Sequence, residues 1–127
     1  MNIEGIHHVA VIASDYERSR AFYTEILGLP IVREVYRKER QSWKCDLALG
    51  SAQIELFSFP EPPARVSRPE ASGLRHLALS VRDIYDAVRH LAARGVACEA
   101  VRTDPHTGKL FTFFADPDDL PLELYQI

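Results

Sequence analysis

His76-Leu77-Ala78-Leu79-Ser80-Val81 opens with the pattern already set 68 positions earlier by His8-Val9-Ala10-Val11. The same offset joins Asp83 to Asp15 and Leu122-Glu123-Leu124 to Ile54-Glu55-Leu56, and Tyr125 answers Phe57. Gly95 answers Gly28 at 67, a slip of one that loop length absorbs. Separate motifs that agree on one offset mark an internal duplication. They predict two structural copies, about 5–59 and 73–127, within a single domain of residues 1–127. The stretch Pro60-Glu61-Pro62-Pro63-Ala64-Arg65-Val66-Ser67-Arg68-Pro69 reads as the linker, because proline stops regular structure.

Each copy reads as strand, helix and three strands, an α+β pattern of paired βαβββ modules. In the first, Ile6 to Ile12 is an apolar strand, and Ser14-Asp15-Tyr16-Glu17 is a capping box that opens a helix. Tyr16, Ser19, Phe22, Tyr23, Ile26 and Leu27 recur at helical spacing, and Gly28 stops the helix. Strands follow near 30–37, 43–49 and 52–59, the last two joined by a tight turn at Gly50-Ser51. In the second, Leu74 to Val81 is a strand, and Asp83 caps a helix carrying Ile84, Val88, Leu91 and Ala92 on one face. Gly95 ends that helix, and strands follow near 97–102, 109–115 and 120–126. Asp104-Pro105 and Asp116-Pro117-Asp118 mark turns.

Strand side chains alternate between faces. Leu77, Leu79 and Val81 therefore oppose His76, Ala78 and Ser80, and Val9 and Val11 oppose His8, Ala10 and Ile12. Ile54 and Leu56 oppose Glu55, Phe57 and Phe59; Leu120, Leu122 and Leu124 oppose Pro121, Glu123 and Tyr125. With the aliphatic faces turned to the helices, each module sets one His and one Glu on its other face. A carboxylate between Ile and Leu in a core strand needs a partner, and no Lys or Arg lies on the matching face of these four strands. His8, Glu55, His76 and Glu123 thus form a candidate N2O2 ligand set for a first-row divalent ion. By alternation His7 falls on the Val9 face, where Arg75 stands in the second copy. It reads as strand-end structure, with support of a metal ligand as the alternative.

Bulk properties exclude other classes. The chain has 127 residues, 46% apolar and 26% charged, enough for a core. A net charge of −3, from 15 basic and 18 acidic residues, does not favour nucleic acid. No apolar run is long enough to span a membrane, and Met1-Asn2-Ile3-Glu4 does not read as a secretory leader. Cys45 and Cys98 have no metal-type spacing and read as reduced thiols, the expectation for a cytoplasmic protein.

These motifs resemble the vicinal oxygen chelate superfamily, in particular its glyoxalase I branch. The resemblance rests on His8-Val9-Ala10-Val11 leading to Asp15 and Phe22-Tyr23, on Ile54-Glu55-Leu56, on His76 to Val81, and on Asp116-Pro117-Asp118 leading to Leu122-Glu123-Leu124. It implies a glyoxalase-like fold in which two βαβββ modules form a cupped, eight-stranded mixed sheet. It also implies one divalent metal ion (nickel, zinc, cobalt or manganese) on His8, Glu55, His76 and Glu123, and a homodimer; in many members modules of different chains share each site, and the sequence leaves open whether the site here is built within one chain or between two. Two positions depart from the family. Ile12 stands where glyoxalase I has an Arg, and Phe59 where it has an Asn. Both residues serve glutathione binding in the family, so the resemblance implies a more apolar site here. Arg33, Arg37, Lys38, Arg40 and Lys44 are the candidates for an anionic substrate, against their reading as a solvated strand edge.

The implied function is a lyase or isomerase acting on a small 2-hydroxy carbonyl, the thiol adduct of a 2-oxoaldehyde. The metal stabilises an enediolate, and Glu123, or else Glu55, moves the proton. Alternatives are a metal-dependent thioester epimerase, an extradiol-type dioxygenase, a fosfomycin-modifying thiol transferase and a non-catalytic small-molecule-binding module. The dioxygenase site uses two His and one carboxylate, and Glu55 as a fourth ligand argues against it.

Overall fold

A computed structural model describes all of residues 1–127 as two compact units, Met1–Ala64 and Arg65–Ile127. The first contains β1 (His8–Ala13), α1 (Tyr16–Ala21), β2 (Ile31–Arg37), β3 (Ser42–Leu49) and β4 (Ala52–Ser58). The second contains β5 (Leu77–Val81), α2 (Ile84–Ala92), β6 (Arg102–Thr103), β7 (Leu110–Ala115) and β8 (Pro121–Gln126). The eight strands fall in two mixed sheets of four, ordered β1-β4-β3-β2 and β5-β8-β7-β6. In each, the first strand lies parallel to the last and the last two pair antiparallel. The duplication read from the sequence is thus a duplication of topology.

The aliphatic faces are the cores. In the first unit Leu47, Ile54 and Leu56 are fully buried with Cys45 and Tyr23. In the second Ile84 and Leu122 are fully buried and Leu91 and Leu124 nearly so. Each such side chain contributes about 1.5–3 kcal/mol by leaving water. Glu55 and Glu123, one step along the strand from these residues, remain partly exposed, as alternation requires.

Some details of the elements differ from the sequence reading for local reasons, and β1 itself starts at His8 rather than Ile6. Asp15, not Ser14, caps α1, its carboxylate accepting from the Arg18 amide at 3.2 Å. Beyond Ala21 the helix widens to π geometry over Phe22–Ile26 and ends at Gly28, whose φ of +73° only glycine adopts readily. β5 starts at Leu77 rather than Leu74, so His76 immediately precedes the strand. Its parallel partner β8 opens with Pro121, which has no amide to donate, and the ladder begins with Leu77 opposite Leu122. The strand expected at 97–102 shrinks to Arg102–Thr103. The Glu99 carbonyl is taken there by the Thr112 hydroxyl at 2.8 Å, a side-chain bond that replaces a ladder bond.

Candidate metal-binding histidine–glutamate pairs

Each module brings its own His and Glu together. His8 opens β1, Glu55 lies mid-way along the adjacent β4, and His8 Nε2 faces Glu55 Oε2 at 3.6 Å. His76 and Glu123 repeat the arrangement in the second module at 3.1 Å. Two ligands about 2.1 Å from one ion stand roughly 3.0–3.4 Å apart at octahedral to tetrahedral angles. Both pairs therefore have the donor types and close to the spacing of neighbouring metal ligands. No three or more His, Cys, Asp or Glu side chains gather into a group that could hold a metal ion; what the structure brings together is one His with one Glu in each module.

The far nitrogen of each imidazole is held by the residue before it. His7 Nδ1 and His8 Nδ1 lie 2.9 Å apart, so one ring donates and the other accepts. His7 precedes the strand, and alternation does not govern it. Its contact is with the neighbouring His8 ring. In the second module Arg75 Nη1 lies 3.1 Å from His76 Nδ1. A guanidinium only donates, so Nδ1 accepts, and in the neutral ring the proton sits on Nε2, facing Glu123. Before Nε2 of His76 could take a metal, that proton must leave it.

The carboxylates differ in their company, and the strand registers explain why. Asp46 stands directly opposite Glu55, and Lys44 two residues away reaches both. Lys44 Nζ is 2.6 Å from Asp46 Oδ1 and 3.1 Å from Glu55 Oε1. The reading that Glu55 has no basic partner is thereby corrected: the lysine comes from β3, outside the four strands considered. The hairpin held the signal, since a two-residue turn at Gly50-Ser51 pairs Leu49 with Ala52 and hence Asp46 with Glu55. The hydrogen bond to Asp46 raises the Lys44 pKa; burial opposes this and Glu55 adds to it. Burial alone would push the Asp46 carboxyl up, but hydrogen bonds from Lys44 and Arg33 outweigh it and hold the group below its usual range. In the second module the position opposite Glu123 is Phe113, whose ring meets His76 edge-on at 5.1 Å. Glu123 thus faces an imidazole and an aromatic ring, with no ammonium.

A cavity of about 570 Å³ opens beside this second pair, lined among others by Arg75, Phe113, Cys98, Arg102 and Arg68. That volume suits a small organic ligand. Burial raises the pKa of both free cysteines, first in each case, and the negative Glu34 adds to the rise at Cys45. Neither thiol is poised as a thiolate nucleophile.

The helix-side face of the first module holds a separate polar cluster. Arg20 donates to Glu34 at 2.7 Å, and the Tyr16 hydroxyl donates to the same carboxylate. These bonds hold the Glu34 carboxyl low against its burial, whereas burial first and then Glu34 raise the Tyr16 phenol. Tyr16 also stacks on Trp43, so the cluster ties α1 to the sheet.

Comparison with known proteins follows the same lines. The family described as the Glyoxalase/Bleomycin resistance protein/Dioxygenase superfamily matches residues 5–124. The chain is 61% identical over 127 residues to the uncharacterized protein YaeR of Escherichia coli (strain K12), covering 99% of this chain and 98% of that one. It is 58% identical over 127 residues to the uncharacterized protein YwkD of Bacillus subtilis (strain 168), covering 99% of each. The crystal structure of a glyoxalase family protein from Enterococcus faecalis superposes with a TM-score of 0.92 at 48% identity, over 99% of this chain and 100% of that one. With its two βαβββ modules and α+β glyoxalase-like fold, the chain belongs to the glyoxalase/bleomycin resistance/dioxygenase superfamily, the vicinal oxygen chelate proteins.

Proposed function

We propose that this chain is a metal-dependent, glyoxalase-type lyase or isomerase that moves a proton on a small 2-hydroxy carbonyl compound. The observation that carries the reading is the repeated meeting of one imidazole Nε2 with one carboxylate oxygen, at 3.6 Å for His8 and Glu55 and 3.1 Å for His76 and Glu123. His8, Glu55, His76 and Glu123 would hold one divalent first-row ion. Such an ion supplies Lewis acidity toward adjacent oxygens of the substrate.

The chain's own residues divide the remaining work. Glu55, tethered by Lys44, is the fixed carboxylate. Glu123 has no such tether, and its carboxylate takes the proton from the carbon beside the carbonyl and returns it to the neighbouring carbon. Phe113, directly opposite on β7, gives that transfer an apolar neighbour. His7 can accept from the Nδ1–H of a metal-bound His8 and so orient that ring, whereas Arg75, a donor only, would have to leave His76 Nδ1, which carries the ring proton once Nε2 takes the metal.

Relatives at 29% identity include the 2-epi-5-epi-valiolone epimerase of Actinomyces sp and the mitochondrial methylmalonyl-CoA epimerase of Homo sapiens; at 27% they include the lactoylglutathione lyase GLX1 of Arabidopsis thaliana. A specific observation favours the epimerase alternative over a glutathione adduct. Ile12 is half-exposed on the metal-bearing face, and Phe59 is stacked on Phe57, where glutathione-binding side chains would stand. The working form in this reading is a cytoplasmic homodimer. No helix is long and apolar enough to cross a membrane.

The test is a metal-replete turnover screen. It uses the methylglyoxal–glutathione hemithioacetal, other thiol adducts and acyl thioesters, and follows product formation and deuterium exchange at the carbon beside the carbonyl. Exchange that requires metal and Glu123 is the expected result. Stoichiometric metal binding with no exchange in any substrate class would overturn the catalytic reading in favour of a binding module.

A further inference from the structure

On the face of the first module that carries Glu55, Arg37 is a cation without a carboxylate. The strand registers place Arg33, Arg37, Ser42, Lys44, Asp46, Glu55 and Phe57 on that one face. Arg33 and Lys44 are both bound to Asp46, at 2.9 and 2.6 Å. Lys38 and Arg40 are exposed in the turn after β2. Arg37 differs from all of these. It is half-buried, its guanidinium lies 4.8 Å from the Phe57 ring centre and 5.6 Å from that of Phe59, and its one hydrogen bond is from Nη2 to the Ser42 hydroxyl at 2.8 Å. Its Nε is buried and finds no acceptor within the protein.

A planar cation held on two stacked rings, partly removed from water and lacking a counter-charge, attracts an anionic oxygen group strongly. The same rings offer an apolar wall to whatever carries that group. Phe57 lies two residues beyond Glu55 on one strand, about 7 Å along it. From these observations we infer that Arg37, with Phe57 and Phe59, is the specificity-determining subsite for the anionic tail of the substrate, a carboxylate or phosphate on a short apolar stem. The substrate is therefore a small acid or phosphorylated carbonyl compound with a short apolar stem. This deepens the proposed function and rests on it for the identity of the reacting end; the anion subsite itself does not depend on bound metal.

The experiment follows the arginine Nε–H resonances of metal-stripped protein by NMR while butyrate, inorganic phosphate or neutral butyramide is added. The Arg37 signal is assigned by its loss in Arg37→Lys. A saturable shift of that signal with butyrate or phosphate, and none with butyramide, is the expected result; the more effective anion decides between carboxylate and phosphate. Arg37→Gln should weaken anion binding at least tenfold, Arg37→Lys less, and both should keep the wild-type metal content. The inference is overturned if neither anion moves the Arg37 signal, if butyramide moves it equally, or if the shifts fall only on Arg33 or Arg40. Because the titration follows wild-type protein and its assignment needs only the conservative Arg37→Lys, a folding defect in Arg37→Gln would not decide the matter. Metal content is measured separately, so an Arg37 that responds in a protein that binds no metal refutes the metal reading alone.

Discussion

Lys44 Nζ stands 3.1 Å from Glu55 Oε1, so one of the four candidate metal ligands is already engaged by an ammonium group. An incoming cation must share Glu55 with that ammonium, which holds Oε1 while Oε2 faces His8, and the two positive charges repel. Lys44 keeps its shorter bond to Asp46. Lys44→Met should tighten metal binding by roughly tenfold, about 1.4 kcal/mol. It should also lower thermal stability, because Asp46 is left with Arg33 alone. Calorimetric titration with nickel or zinc, alongside thermal melts of the metal-free protein, reads both effects. Weaker metal binding in the variant would show that Lys44 supports the ligand geometry rather than competing with it.

The contrast between the two glutamates gives a kinetic prediction. Glu123→Gln should keep most metal, since the amide retains an oxygen, yet lose about 10²–10⁴ in turnover because it cannot take a proton. Glu55→Gln should cost less turnover and more metal affinity. The reverse pattern would exchange the two roles, and full turnover in both variants would exclude proton transfer by either carboxylate.

Metal stoichiometry tests the ligand set. About one divalent ion per chain is expected in protein purified without chelator, measured by elemental analysis, with X-ray absorption showing imidazole and carboxylate ligands and no sulfur. Cys45→Ser should leave metal content unchanged, whereas the His8→Ala, His76→Ala double variant should lose it. Undiminished binding in the double variant would remove these histidines from the site.

Asp46 contributes to the acid limb of stability. Its pKa lies below the usual carboxylate value in the folded protein, so its stabilising contribution is complete above about pH 4 and is lost as pH falls through the lowered folded value. With its side chain only 3% exposed, breaking its ion pairs should cost about 3 kcal/mol. Asp46→Asn should therefore be less stable than wild type near neutrality and lose less further stability between about pH 4 and pH 2. Urea melts across that range check it; parallel acid limbs would show that Asp46 does not govern them.

The fold was legible in the sequence because duplication supplied two copies of every signal. His8 with His76 and Glu55 with Glu123 could be set on one kind of face by period-two alternation alone, and the burial of Ile54, Leu56, Leu122 and Leu124 agrees. What alternation could not reach were contacts set by pairing between strands or made outside them. Lys44 meets Glu55 through hairpin register, which the Gly50-Ser51 turn encodes but which has to be counted across two strands. His7 and Arg75 act from just before their strands, where backbone periodicity no longer directs side chains. The placement of Arg37 over Phe57 and Phe59 depends on a side-chain conformation that no spacing rule fixes.

The Gly50-Ser51 turn has a consequence well away from itself. It fixes which side chain of β3 stands opposite Glu55. A slip of one residue would turn Cys45 or Leu47, both fully buried, out of the core, so the packed face forbids it. A slip of two keeps the core face inward but sets Lys44 or Ala48 opposite Glu55 in place of Asp46. The turn stands against that shift, and Gly50 holds a φ of +56° that a residue with a Cβ adopts at a cost. The local charge around Glu55 is therefore adjustable in discrete two-residue steps from a hairpin tip outside the site. Edits to that tip could retune the chemistry of the face while every residue on it stays the same.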